Sequence, residues 1–265
     1  MSPAAVATPR PAMASSGRML LLQTYTGVLS LLRIPAFSVT GVALPVMFFA
    51  FFGLPNVGKA LGGIDAGEYM LATYGAYALS SMMLFNFGIG VAQERGMKTD
   101  LLTRATPLPV SVYLVAKLLV AMIFGLVAVG VLFAFGAVAG HIFIPLDRLL
   151  VIVARLLLGS LPFVALGFAI GYSFGPNAAP GVTNLLYLPM AFASGLLAPL
   201  EFLPDFVKQV APYLPTYHYG QLALSSVGAK AEDWMTSAVW LAGYTVLFFA
   251  IAFRQYRREE NRKYG

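Results

Sequence analysis

Side chains that could act as nucleophiles or metal ligands are scarce in this chain of 265 residues. It has no cysteine, which excludes disulfides, cysteine nucleophiles and thiolate metal sites. Its two histidines, His141 and His218, each lack a second ligand at helical spacing, so we expect interfacial polar residues at the outer boundary of the apolar stretches and no metal site. The Gly-x-x-x-x-Gly-Lys-Ser/Thr loop that holds ATP phosphates is also missing. The sequence therefore favours a function other than catalysis.

The charged residues are few, and long apolar stretches separate them. Hydrophobic residues make up 59% of the chain and charged residues 11%, with a mean hydropathy of +0.79. Soluble globular domains carry about 25% charged residues. This composition excludes a soluble domain, a disordered chain and a disulfide-rich secreted scaffold.

Six stretches are long and apolar enough to cross a bilayer, which takes about 20 residues. They are residues 34–52, 69–92, 112–139, 149–174, 181–200 and 234–253. Each must be helical, because lipid offers no partner for an unpaired backbone N–H or C=O. The sequence predicts an all-α membrane protein with six transmembrane helices over residues 34–254.

Lysine and arginine favour one orientation of these helices. With the N-terminus inside, the cytoplasmic segments hold most of these residues, whereas the external segments hold Lys59, Arg148, Lys208 and Lys230. Positive residues accumulate on the cytoplasmic side of membrane proteins. We therefore expect both termini inside a bacterial-type cytoplasmic (inner) membrane, with residues 255–265 as a basic cytoplasmic tail.

The N-terminal region divides into two parts. Residues 1–17 are rich in Pro, Ala and Ser, a composition typical of a disordered arm. Over residues 18–33, polar residues from Gln23 to Arg33 share one stripe and apolar residues from Leu22 to Leu32 share the other side. This spacing predicts an amphipathic helix lying in the membrane interface.

The cytoplasmic segment from Gln93 to Pro109 predicts a short helix at about 94–105, ended by two prolines. Met97, Leu101 and Ala105 share one apolar face beside several charges. Such a helix suits docking into a groove of a partner protein. The alternative is a solvated loop whose charges only set the topology.

The external segment at about 199–225 is too apolar for an exposed loop, and four prolines divide it. We expect it to return into the outer leaflet as a re-entrant hairpin, where irregular backbone must lie against protein or water. An interfacial helix that covers the bundle is the overlapping alternative.

Together these segments resemble the permease subunits of ABC-2-type ATP-binding-cassette exporters, also called type V exporters. The resemblance rests on Glu94-Arg95-Gly96, Leu101-Leu102 and Thr106-Pro107-Leu108-Pro109, followed by 193–200, Leu203-Pro204 and 212–217. It covers about residues 18–254. It implies an all-α fold with an interfacial N-terminal helix, a cytoplasmic coupling helix and an external re-entrant hairpin.

The resemblance implies a transport subunit that pairs with a second permease chain, an identical one in a homodimer. A separate ATPase would bind ATP and Mg and dock on the coupling helix. The docking residues would be Glu94, Arg95, Met97, Lys98, Leu101, Leu102 and Arg104. The hairpin would form an outer gate with Pro199, Leu200, Phe202, Pro204, Pro215 and Tyr217. Candidate pathway-lining residues are Asn86, Arg155, Asn184 and Tyr187. The apolar, aromatic spans favour an amphipathic small molecule, a drug or a lipid as cargo.

Two other functions stay open from the residues alone. A stand-alone secondary transporter or channel would use ionisable groups near the bilayer midplane, but no Asp or Glu lies in the middle of a predicted span. An intramembrane enzyme could use Ser194 before Gly195 as its nucleophile, with His218 as the base, but His218 falls beyond the span. Flux driven by a pH or sodium gradient and labelling by a serine probe would distinguish these.

Overall fold

The computed structural model describes residues 15–33, 35–97 and 108–264. In the first part, α1 spans Ser16–Leu32 and α2 spans Pro35–Phe48. Helix α2 continues through a π-helical turn, Phe49–Gly53, and a 3-10 turn, Leu54–Asn56. A short antiparallel hairpin of β1, Ala60–Leu61, and β2, Ile64–Asp65, then leads into α3, Ala66–Gly96.

The second part is also helical. The long helix α4, Val110–Ala139, is followed by α5, Leu146–Gly159, and α6, Leu161–Ser173. Helix α7, Ala179–Ala193, precedes a 3-10 turn, Leu200–Phe202, and the short α8, Asp205–Val210. A further 3-10 turn, Ala211–Tyr213, leads to α9, Pro215–Val227, and the last helix is α10, Trp234–Tyr264.

Four helical segments among the described residues are long and apolar enough to cross a membrane. They are 66–96, 110–139, 146–173 and 234–258, where the third comprises α5 and α6. These segments correspond to the second, third, fourth and sixth predicted spans. Their length and composition support a multi-pass membrane protein.

The first and fifth predicted spans coincide with shorter helical segments. At the first, the apolar helical segment is 41–56, with Pro45 inside α2 and a π-helical turn after it. At the fifth, α7 ends at Ala193, and Gly195 adopts the left-handed region with φ 87°. The backbone N–H groups of Leu196 and Leu197 both bond to the carbonyl of Ala191, which closes the helix end. Apolar length alone did not reveal these interruptions.

Helix α3 forms the centre of the bundle, and most of its side chains are buried. It crosses α6 closely because two glycines of α6 have no side chain. A Cβ atom on Gly167 would lie 2.9 Å from the carbonyl oxygen of Leu84 and 3.0 Å from the backbone nitrogen of Gly88. One on Gly171 would lie 2.9 Å from the carbonyl oxygen of Phe87. Small residues of this kind let two helix backbones approach each other in membranes.

Helix α1 packs across α4 at Gly27, where a Cβ would lie 2.8 Å from a methyl carbon of Val120. Val28 and Leu31 of α1 contact a small buried cluster that includes Met82 and Val120. Other apolar residues of α1, including Leu21, Leu22 and Tyr25, are exposed. The helix therefore offers both a packed face and an uncovered apolar face.

Candidate functional site

Glu94 lies in the last turn of α3 and bonds to α4 across the intervening segment. Its Oε1 accepts a hydrogen bond from Lys117 Nζ at 2.7 Å, and its Oε2 accepts one from the Tyr113 hydroxyl. The Lys117 side chain is only 9% exposed, while that of Glu94 is 32% exposed. A buried ammonium requires a partner, so this ion pair fastens the end of α3 to the start of α4.

Arg95 connects the same turn of α3 to α6. Its Nη1 donates to the carbonyl oxygen of Gly171, one of the last carbonyls of α6 without a partner inside the helix. The guanidinium lies 5.5 Å from the ring centre of Tyr172, and that ring meets Tyr256 of α10 edge-on at 5.4 Å. A cation at a helix C-terminus also interacts favourably with the helix dipole. Glu94 and Arg95 therefore connect α3 to α4, α6 and α10. We call Glu94, Arg95, Tyr113, Lys117 and Tyr172 the cytoplasmic cluster, after the side of the membrane that the charge distribution predicts for them.

The predicted docking residues divide into three sets. Glu94 and Arg95 still belong to α3 and are engaged within the chain. Met97, directly after α3, is 69% exposed. The rest of the predicted coupling helix lies outside the described residues, including Lys98, Leu101, Leu102 and Arg104. Helix α4 begins after Pro109.

The predicted gate residues lie on a chain of short elements between α7 and α10. Pro199 is buried before the first 3-10 turn, Phe202 is 73% exposed at the end of that turn, and Pro204 precedes α8. Leu200 begins the same 3-10 turn and is half-buried. Pro215 is buried at the first position of α9, where its missing N–H is harmless, and Tyr217 follows half-buried.

The sequence did not reveal how these short elements are held. His218 of α9, which the sequence predicts as an interfacial polar residue, is buried inside the protein. Its Nε2 bonds to the carbonyl of Pro212 at 2.8 Å, and its Nδ1 lies 3.1 Å from Glu232 Oε2. Its ring stacks on Trp240 of α10, with the ring centres 5.0 Å apart. Because a carbonyl only accepts, Nε2 carries a proton and donates it.

Helix α10 adds a second bond to the same turn. The Tyr244 hydroxyl donates to the carbonyl of Tyr213 at 2.8 Å. Trp240 and Tyr244 are four residues apart and so share a face of α10, which is the one sequence signal for this contact. We call His218, Glu232, Trp240 and Tyr244 the external cluster, after the side of the membrane that the charge distribution predicts for them. Burial, and then the Glu232 carboxylate, raise the pKa of the Tyr217 hydroxyl beside it, so this phenol is neutral at pH 7.

The four candidate pathway residues do not form one site. Tyr187 is fully buried in the core, where its hydroxyl lies 2.7 Å from Ser80 Oγ and 3.0 Å from the carbonyl of Tyr77. Asn86 is buried on α3, and Asn184 is exposed on α7 with its amide donating to Pro180 O at 3.0 Å. Arg155 contacts α9 and α10. In the described part of the chain, none of the four bonds to another.

No group of three or more His, Asp or Glu residues that could hold a metal ion occurs within residues 15–33, 35–97 and 108–264. The arrangement instead offers helix ends that are fastened together by charged side chains. These contacts hold the ends of α3, α4 and α6 in fixed positions relative to one another.

Comparison with known proteins decides the family. A family model described as "ABC-2 family transporter protein" matches residues 65–254, well over half of the chain. The chain belongs to this family. It is also 27% identical over 243 residues to a protein of Bacillus subtilis (strain 168) named "Putative transport permease YvfS", and the match covers 91% of this chain and 98% of that relative.

The match of 65–254 contains every element from α3 onwards up to residue 254 of α10. Glu94, Arg95 and Lys117 of the cytoplasmic cluster and all four residues of the external cluster thus fall inside the ABC-2 region. The chain is a membrane transport permease, and membership of this family implies an ATPase subunit as its partner.

Proposed function

We propose that this chain is the transmembrane subunit of an ATP-driven ABC-2 exporter and that two copies form the substrate pathway. Separate ATPase subunits bind ATP and Mg and dock on the segment that begins at Met97. Helix α2 with its following turns, and α7 with its following segment, complete six crossings. The N- and C-termini then both lie on the cytoplasmic side of the inner membrane.

The cytoplasmic cluster is the observation that carries this proposal. Residues 98–107 connect two helix ends that the Glu94–Lys117 ion pair holds together. Arg95 extends the connection to α6 through the carbonyl of Gly171. A displacement of the connecting segment therefore acts on α3, α4 and α6 as one unit. This is the mechanical property that coupling to an external ATPase requires.

The transport cycle follows from this connection. ATP binding draws the two ATPases together, and the coupling segments move with them. The paired helix ends follow and change the gap between the two permease chains. Export requires that the cargo binds one of the two states more tightly, because a ligand of equal affinity for both states shifts nothing. The segment 199–225 acts as the outer gate.

The short elements around the external cluster suit such a gate. Their turn at Pro212 and Tyr213 is held by side chains of α9 and α10. Phe202 and Phe206 are 73% and 70% exposed, so the hairpin presents aromatic rings outward. This surface supports an amphipathic small molecule, a drug or a lipid as cargo.

Co-purification from native membranes tests the proposal. The tagged wild-type chain is extracted in mild detergent beside Met97→Asp, in which a charge replaces the exposed apolar residue. Met235→Asp is the matched control, since Met235 is 52% exposed at the first turn of α10. We expect wild type and the control to retain a cassette ATPase and Met97→Asp to lose it.

Two results would overturn the proposal. One is that no ATPase accompanies the wild-type chain. The other is that Met97→Asp retains as much ATPase as Met235→Asp does. In either case, flux driven by a pH or sodium gradient in proteoliposomes would be measured next, because it is the signature of a stand-alone secondary transporter.

A further inference from the structure

Arg155 lies within the α5–α6 span, about 14 Å along the helix from Leu146 at 1.5 Å per residue. Its neighbours come from the end of α9 and the start of α10. The guanidinium carbon is 5.6 Å from the ring centre of Trp234, the first residue of α10. Tryptophan is enriched where a membrane helix enters the headgroup region. Arg155 therefore lies on the same membrane face as the beginning of α10.

Two serine hydroxyls accept hydrogen bonds from one nitrogen of the Arg155 guanidinium. Nη1 donates to Ser225 Oγ at 3.0 Å and to Ser226 Oγ at 3.2 Å. Both hydroxyls in turn donate to the carbonyl of Leu222, at 2.9 and 3.0 Å. Each serine has one hydroxyl proton, and that proton is already used. The serines therefore fix the orientation of Arg155 and do not neutralise its charge.

The other two nitrogens of Arg155 have no hydrogen-bond partner in the part of the chain that the structure describes. No carboxylate of the described residues forms an ion pair with this side chain either. Neither Nε nor Nη2 is sealed inside the protein. In a guanidinium whose Nη1 lies on the side of Cδ, Nε–H and one Nη2–H point in parallel along the opposite edge. That edge is the fork that binds a carboxylate or phosphate through two hydrogen bonds.

Apolar residues near Arg155 on the same helix are exposed. Leu150, Val151 and Leu158 are 61%, 42% and 73% exposed, so this part of α5 is open to lipid. An arginine in such surroundings requires a counter-charge, and the cost of leaving it unpaired is large. The lipid phase supplies oxoanions only on the headgroups of amphiphiles. Net negative headgroups complement the site best, since no cation of their own competes with Arg155.

We propose that Arg155 is a binding site for the phosphate of an anionic amphiphile, held through Nε–H and Nη2–H beside Trp234. Ser225 and Ser226 are positioning residues that orient the guanidinium. The site requires neither an ATPase partner nor transport. Its test can therefore fail while the proposed function stands, and the reverse is also true.

Tryptophan fluorescence measures occupancy of this site. The chain has two tryptophans, so Trp240→Phe leaves Trp234 alone beside Arg155. The full chain is reconstituted in vesicles that contain brominated phosphatidylglycerol or brominated phosphatidylcholine, whose bromines quench a tryptophan in contact. We expect the anionic lipid to bind beside Trp234 several-fold more tightly than the zwitterionic lipid does.

Variants of Arg155, made in the Trp240→Phe protein, test whether the Nε–H and Nη2–H edge of Arg155 causes the preference for the anionic lipid. Arg155→Gln should abolish the preference, and Arg155→Lys should retain only part of it, because the charge stays but the fork is lost. Arg148→Gln is the matched control, since it removes an exposed arginine from the same helix. It should leave the preference unchanged. If Arg155→Gln does not fold, comparing the lipid preference of Arg155→Lys with that of Arg148→Gln still tests the proposal.

Three outcomes would overturn the proposal. Equal quenching by both lipids in the parent protein shows that no anionic headgroup is selected. Equal loss in the Arg148→Gln and Arg155 variants assigns the preference to general surface charge. Removal of the preference by inorganic phosphate at constant ionic strength identifies a soluble oxoanion as the ligand.

Discussion

The cytoplasmic and external clusters each contain a buried basic side chain paired with a partly exposed carboxylate. Lys117 is 9% exposed and its partner Glu94 is 32% exposed, while His218 is 1% exposed and Glu232 is 30% exposed. The elements that they join differ. The cytoplasmic pair joins helices of 31 and 30 residues, whereas the external pair joins α9, of 13 residues, to the segment before α10 and holds the 3-10 turn before α9.

This difference shows that the same kind of ion pair can have two different mechanical effects. Fastening the ends of two long helices makes them move together, because each helix is itself stiff. Fastening a turn between short helices holds only that turn, and its release leaves the rest of the bundle in place. The same kind of contact therefore suits coupling at one end and gating at the other.

The largest loss of stability is expected when the Glu94 carboxylate of the cytoplasmic cluster is removed. Glu94→Leu leaves the buried ammonium of Lys117 unpaired and should destabilise the chain by about 3–5 kcal/mol. Lys117→Met leaves a carboxylate that is 32% exposed to solvent, so it should cost less. Thermal unfolding of the purified chain in detergent measures both. The double variant should be more stable than Glu94→Leu alone, and simple additivity of the two losses would contradict the ion pair.

The next effect concerns the α3–α6 crossing that connects the two ends. Gly167→Val places side-chain atoms against the backbone of Leu84 and Gly88, which cannot move aside, and should cost about 3 kcal/mol. Gly130→Val is the control, because a Cβ at Gly130 of α4 meets nothing within 4 Å. Thermal unfolding should separate the two variants clearly. Equal melting temperatures would show that the crossing is not tightly packed.

A smaller, local effect is expected at the external cluster. His218→Asn removes the bonds to Pro212 and Glu232 and should loosen the hairpin by about 2 kcal/mol. Tryptic cleavage after Lys208, which lies exposed on α8, reports this loosening directly. His141→Asn makes the same substitution at an exposed histidine and should leave the cleavage rate unchanged. Equal cleavage rates of the two variants would contradict a role of His218 in holding the hairpin.

Removing the Tyr244 hydroxyl is expected to have the smallest effect on stability. Tyr244→Phe loses the bond to the carbonyl of Tyr213 and should loosen the same turn by about 1 kcal/mol. Tyr213→Phe is its control, because Tyr213 contributes its carbonyl to this bond and its exposed side chain is not needed. The cleavage assay should rank His218→Asn above Tyr244→Phe, with Tyr213→Phe equal to wild type. A reversed ranking would assign the turn to α10 alone.

The sequence predicted the long membrane helices well, because apolar length is a local property. It did not predict that α7 ends at Ala193, since that depends on the left-handed turn at Gly195. The pairing of Glu94 with Lys117 was also missed. Charge patterns indicate which residues are near water, but the folded helices decide which charges meet.

The contacts of His218 show the same limit at the other end. The sequence predicts an interfacial polar residue here but does not indicate its partners. Its burial depends on Trp240, Glu232 and the carbonyl of Pro212, which come from three separate parts of the chain. The resemblance to ABC-2 permeases, carried by short motifs in a fixed order, predicted the family that the match over 65–254 confirms.

We infer that Glu94 fastens the ends of α3 and α4, so that the segment between them moves with both helices. Since the chain has no cysteine, spin labels at Met97→Cys and Val110→Cys report this distance specifically. Both positions are exposed, and diluting labelled with unlabelled chains isolates the distance within one chain. We expect one narrow distribution of the distance between the two labels in the otherwise wild-type chain and a broad one after Glu94→Gln. Identical distributions in the two proteins would contradict it.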